Sequence, residues 1–463
     1  MAEGRAKFLS GSLLRHVTVM SLTSAVGITA VFLVDFIDMI FISMLGKAEL
    51  AAAIGYAGSI LFFTTSFSIG MAIAVGALVA RSLGAGNEDA ARASSTHGLI
   101  YGVGFGGLFA LCVWLNIPTF VRWIGAETET AALAETYLRI IVPSLPFLVV
   151  GMMGGAILRA HGDARRAMMA TIYGGGMNAV LDPILIFGLG LDLTGAALAS
   201  VAARVVIGVT ALVPIYRHHG GLPRPDPAAM WQDLRPMMII GCPAILTQLA
   251  TPVGQAIVTR SMAQYGLEAV AGMAIVGRLM PVSFAVVFAL SGAVGPILGQ
   301  NYGAQRFDRV RAGFNAALIF AAGVIVVIAL ALFGLRDLIA DLFGATGVTR
   351  ELLFLFCGPL ALLFYFNAVL FVSNAAFNNL GHPFYSTWMN WGRNTVAIIP
   401  FVWLGAYLYG APGVLIGQSL AGVVFGGLAW VLARRVIVQE GPQAVRGRFD
   451  REGRLMSLLH LRK

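Results

Sequence analysis

Apolar residues run through this chain in long unbroken stretches, broken by short clusters of charge, glycine and proline, as in AALIFAAGVIVVIALALF (316–333). A helix that crosses a bilayer needs about 20 such residues. The stretches predict twelve spans, at 15–45, 50–82, 95–118, 133–158, 166–190, 194–217, 236–265, 269–299, 310–333, 350–377, 385–409 and 412–438. A transmembrane barrel would alternate apolar and polar residues over segments of about ten, which these runs do not do. The expected fold class is an all-α membrane protein of twelve transmembrane helices. The opening MAEGRAKFLSGSLLRH has neither an apolar core nor a small-residue cleavage site, so the first span is expected to serve as its own targeting signal.

The pattern repeats. LGAGNEDAARA (83–93) aligns with YGAQRFDRVRA (302–312), pairing Gly84 with Gly303, Asp89 with Asp308 and Arg92 with Arg311. MLGKAELAA (44–52) aligns with YGLEAVAG (265–272), RAHGDARRA (159–167) with NLGHPFYS (379–386), and LTGAALAS (193–200) with GAPGVLIG (410–417). Two homologous halves follow: a terminus at 1–14, a six-helix lobe at 15–217, a Pro-rich linker at 218–235, a second lobe at 236–438 and a basic tail at 439–463. Six spans per half is even, so both halves share one orientation and are related by an axis along the membrane normal, a build common among transporters.

Composition agrees. Of the 463 residues 58% are hydrophobic and 11% charged, with a mean hydropathy of +0.83, against about 25% charged in soluble domains. Disorder, coiled coil, collagen and a disulfide scaffold are excluded. The net charge of +9 sorts by loop: with both termini in the cytoplasm, 22 Lys and Arg lie on that side and five on the other. This is the positive-inside bias; it absorbs the charge without a nucleic-acid partner and places the chain in the cytoplasmic (inner) membrane, in contact with the lipid bilayer. Cys112, Cys242 and Cys357 are scattered within apolar runs, as core residues are.

An acid within a span costs about 2.5–3.5 kcal/mol on insertion scales and by default marks function. The clear cases are Asp35 and Asp38 in the first span and Asp182 in the fifth. The matching positions of the second half, near Gln255, Val258 and Ile399, carry no acid. Asp35 and Asp38 share one helix face, as do Asn178 and Asp182. If spans 1 and 5 pack together, these groups converge where not all can ionise at once, which suits a proton relay or a sodium cage. The competing structural reading is an ion pair with Arg139 or Arg204. Arg278 and Arg393 either meet an anionic substrate or bond helix carbonyls. In the second half Gln255, Met262, Met280, Asn374, Asn378 and Met389 are candidates to line a polar–apolar cavity, against helix-packing roles. HExxH and GxSxG are absent, and no enzyme or cofactor is expected.

DMIFISMLG (38–46), ELAA (49–52), RSLGAGNEDAA (81–91), NAVLDPILIF (178–187) followed by LTGAALAS, and GQNYGAQRFDRVR (299–311) together resemble the multidrug and toxic compound extrusion (MATE) family, in its DinF-like branch. The resemblance covers about 15–435 and implies a V-shaped pair of lobes that exports small amphipathic, cationic drugs or toxins by antiport with H+ or Na+, as a monomer. It assigns ion coupling to Asp38 and Asp182, with Asn178 beside them and Ser200 at a hydroxyl position. With sodium, Asp38, Asn178 and Asp182 would be the metal ligands. The acids of the NorM-like branch's second lobe have no counterpart. Two departures stand out: Thr23 occupies the place of a first-helix proline, although its repeat mate is Pro243, and Asp35 is an additional acid. The alternatives are a lipid-linked precursor flippase of the same superfamily and a non-transporting scaffold or receptor.

Overall fold

Inside hydrocarbon a backbone must satisfy its own N–H and C=O groups, which leaves an apolar run little choice but helix. The computed structural model describes residues 6–45, 48–125 and 128–440, without the side chains of Asp35, Ser43, Ala48, Ala51 and Thr128, and every regular element among them is helical. The Arg-rich tail from 441 on and the repeat residue Gly46 lie outside the described residues.

The first half contributes α1 (Leu13–Met44), α2 (Ala48–Gly84), α3 (Glu88–Leu115), α4 (Glu129–Ala160), α5 (Ala164–Gly188) and α6 (Asp192–His218). In the second half α7 is Pro227–Ala263, and α8 is a pair, Leu267–Ser283 and Ala285–Gly303, bent by 46°. Next come α9 (Phe307–Leu342) and α10, the pair Gly347–Leu363 and Tyr365–Asn379 bent by 44°. Polar caps set several starts: Asn87 accepts from the Ala90 N–H, Asp163 from Arg166 and Asp226 from Ala228, each satisfying an orphan donor.

Pro383–Gln439 holds 57 residues, far more than one crossing uses. It turns back at Gly410, whose φ of +62° only glycine adopts freely. A Cβ on Gly405 would lie 2.1 Å from the Gly413 carbonyl oxygen, and one on Gly417 2.2 Å from that of Phe401. The two arms, α11 (383–409) and α12 (411–439), are therefore an antiparallel hairpin packed backbone to backbone. The first half makes the same turn at Gly190, with φ of +63°, and packs Gly195 on the main chain of Leu185. Gly195 thus serves its hairpin as Gly413 serves the second, and the twelve expected crossings are present among the described residues.

The lobes are not sealed from one another. Buried residues of the first half form one core, yet Met237 and Ile240 of α7 belong to it. The core of the second half in turn takes in Val17 and Met20 of α1. Each lobe's first helix begins inside the other lobe, so the packing boundary differs from the sequence boundary at 218–235. Beside this exchange α2 crosses α8 on the face bearing the N-terminus and the basic loops. Arg81 donates to the carbonyls of Asn379 and Asn378, and Gln300 donates to that of Ala160. These contacts are related by the internal repeat.

A strap closes the same face. The single turn Lys7–Leu9 lays Phe8, 1% exposed, between the lobes. Lys7 donates to the Gly162 carbonyl of the first lobe. The Phe8 N–H donates to Gln300, and the Phe8 carbonyl accepts from Asn301 and Arg309 of the second.

Candidate functional site

α1 and α5 run parallel. A Cβ on Gly27 would touch Met168 and Thr171, and one on Gly175 would touch Val34, seven residues further along both helices. Continuing that register brings Asp38 to the turn of α5 that holds Asn178 and Asp182. Pro183 follows at once and the helix widens into a π-turn at Ile184–Gly188; such distortions release backbone groups and recur at functional sites.

Asp182 is 0% exposed and Asn178 6%, while Asp38 is half-buried. No protein donor bonds either carboxyl oxygen of Asp182, and the Asn178 amide nitrogen is likewise unbonded. The carboxyls of Asp38 and Asp182 are near enough to interact with each other. Two ionised carboxylates have no hydrogen to place between them; a single proton gives the pair its bond. The expected convergence of spans 1 and 5 is therefore present for Asp38, Asn178 and Asp182, whereas the side chain of Asp35 lies outside the described residues.

The basic partners are engaged elsewhere. Arg204 donates to the Ile141 carbonyl and to Ser144 Oγ, at the tight turn Val142–Ser144 inside α4. The Arg139 guanidinium lies 5.6 Å over the Trp114 ring. The hydroxyl of Tyr137, a buried residue of α4, lies near Ser200 and interacts electrostatically with Arg204, Asp38 and Asp182. Tyr137 was not anticipated; one phenol inside an apolar span, next to Thr136 and one turn from Leu133, was the available signal. Those two neighbours line an open cavity of about 290 Å³ with Glu49, Glu129 and Asp192, at the end of the first lobe away from the basic face.

The second-lobe candidates divide. Met262 is wholly buried in a core cluster, while Met280 and Met389 are packed on the edge of another. Gln255 and Arg278 are exposed. Asn374 and Asn378 are 7% and 4% exposed and take part in a polar band: Asn390 donates to Asn374 Oδ1, and Ser386 donates to Asn378 Oδ1. Among the described residues no three His, Cys, Asp or Glu side chains converge as metal ligands; the Asp38–Asn178–Asp182 set has two carboxylates and an amide.

The family described as MatE matches residues 24–184 and 243–404, one stretch in each half. A FAD transporter of Shewanella oneidensis is 28% identical over 442 residues, which cover 94% of this chain and 97% of the relative. A multidrug export protein, MepA, of Staphylococcus aureus is 23% identical over 430 residues, 90% of this chain and 94% of its own. Among solved structures, a MOP superfamily transporter from Pyrococcus furiosus superposes with a TM-score of 0.87 at 22% identity, covering 94% of this chain and 98% of that one. A mutant of the Vibrio cholerae MATE transporter VcmN gives 0.88 at 23%, covering 92% and 97%.

Proposed function

The chain belongs to the MatE family of transporters, a multi-pass membrane protein, and we propose that it exports small amphipathic compounds by antiport against a cation held between Asp38 and Asp182. The observation that carries this reading is the carboxyl pair itself, a buried Asp182 beside a half-buried Asp38 in the first lobe, with the basic neighbours Arg204 and Arg139 engaged elsewhere. The second half folds without such a pair, so folding does not account for it.

A proton suits the site better than sodium. Two carboxyls and one amide supply fewer oxygens than the six or more that a hard cation commonly gathers, whereas one proton completes the pair. One charge moved through about 150 mV yields about 3.5 kcal/mol, from about 2.3 per 100 mV. At about 1.4 kcal/mol per decade, that supports a concentration ratio of a few hundred. A second ion site is unnecessary.

We read the chain as lying in the cytoplasmic membrane with the basic face inward and as a DinF-like member, because the acids sit in the first lobe alone. The cargo of the relatives, drugs for MepA and FAD for the Shewanella protein, supports amphipathic organic compounds as the class. The test is uptake by proteoliposomes under proton and sodium gradients imposed separately. Proton-driven uptake that survives removal of sodium is expected. Uptake that needs sodium alone, or no gradient at all, would overturn the proposal.

A further inference from the structure

Arg393 lies in α11, within a π-turn at Gly392–Ala397. It is surrounded by the helices of the second lobe and yet keeps partial solvent access. It makes no hydrogen bond and no ion pair among the described residues, and every acid of the second half sits at or near a helix end. Ten residues into α11, about 15 Å at 1.5 Å per residue, it is too deep to reach the interface on its own stem. Asn367 of α10 stands near it: a Cβ on Gly422 of α12 would have the Asn367 amide nitrogen 3.7 Å away and both its oxygen and the Arg393 Nε 3.9 Å away. Gly422 thus carries no side chain where a guanidinium and a carboxamide come together.

An unpaired charge at this depth is costly and by default functional. Its planar fork of donors matches a phosphate bidentately, and an amide adds a further donor. We propose that Arg393 and Asn367 form a phosphate-binding subsite in the second lobe, and that the transported compounds include phosphate-bearing aromatic molecules of the flavin nucleotide kind. The inference rests on the reading of the chain as a transporter of amphipathic compounds, and it replaces the cationic cargo expected from the acids of the first lobe. The two lobes then divide the work by charge: acids hold the coupling cation in one and a cation holds the substrate's anion in the other.

FMN and riboflavin differ by one phosphate, and their fluorescence reports binding to purified protein in a maltoside detergent, which itself carries no anionic group. The wild type is expected to bind FMN at least tenfold more tightly than riboflavin, with the preference shrinking as salt rises. Arg393→Gln should bring the two within about twofold and leave riboflavin affinity in place. Arg393→Lys keeps the charge but loses the fork, and should reduce the preference severalfold. Equal affinities in the wild type, which require no variant to fold, or a full preference in Arg393→Gln, would overturn the subsite. Absence of FMN binding would do the same. The measurement needs no gradient, so loss of proton-driven uptake would leave this result standing.

Discussion

Gly84 and Gly303 each rest on the main-chain carbonyl three residues before the other. A Cβ on Gly84 would lie 2.0 Å from the Gln300 oxygen, and one on Gly303 2.0 Å from that of Arg81. The contact maps onto itself when the halves are exchanged. It lets α2 and α8 cross with no side chain between them, and it holds the basic face shut.

Overpacking of this kind costs about 1–3 kcal/mol. Gly84→Ala and Gly303→Ala should each lower the Tm in detergent by several degrees. Gly323→Ala, where a Cβ would meet nothing within 4 Å, should leave it unchanged. Equal melting of all three would refute the crossing.

Asp38→Asn and Asp182→Asn should each lower gradient-driven uptake at least tenfold. Asn keeps the shape of the side chain and removes the cost of a buried charge, so both variants are expected to melt no earlier than the wild type. Normal uptake by both folded variants would place the coupling site elsewhere.

Phe8→Ala should loosen the strap. Burial of a phenylalanine contributes about 3–5 kcal/mol, and Phe8 lies against both lobes. The chain after Lys7, protected by its bond to the Gly162 carbonyl, should then be cut by trypsin at least ten times faster. An unchanged rate would mean that the strap is held by its backbone bonds alone.

His161 sits in the loop between α4 and α5, its ring 4.4 Å from that of His219. Burial first, and the neighbouring His219 next among the lowering causes, bring its pKa down to about 4 from 6.5. Asp163, bonded by His219 and Arg166, is held well below the usual carboxylate range despite its burial. For both groups the unfolded chain binds the proton more readily. The stability they contribute is whole above about pH 6.5 and is lost as the pH falls, first through His161 down to about 4 and then through Asp163. Tm measured from pH 7 to 4 should decline, and His161→Gln should flatten the upper part of that slope.

Much of the architecture was legible because hydropathy and the repeat are local properties of the chain. The convergence of Asp38 with Asn178 and Asp182 followed from helical spacing and the cost of acids in lipid. Which group bonds which was not legible. Arg204 stood as a partner for the acids, yet the proline-broken turn at Val142–Ser144 exposes a carbonyl and a hydroxyl that take its donors. For Arg393 an anionic substrate and helix carbonyls stood as alternatives; only the packed lobe shows that no carbonyl bonds it. Met262 looked like a cavity wall and is core, because composition does not say which side of a helix meets its neighbours.

The crossed placement of α1 and α7 has a consequence for synthesis. Met237 and Ile240 complete the core of the first half, but they leave the ribosome only after all six of its helices are in the bilayer. The finished half must wait with part of its interior facing lipid until α7 arrives. Val17 and Met20 wait longer still for α8 and α9, so the earliest span inserted is among the last to reach its final neighbours. A chain interrupted in the linker would thus yield a half that inserts yet stays incompletely packed, a natural substrate for quality-control proteolysis.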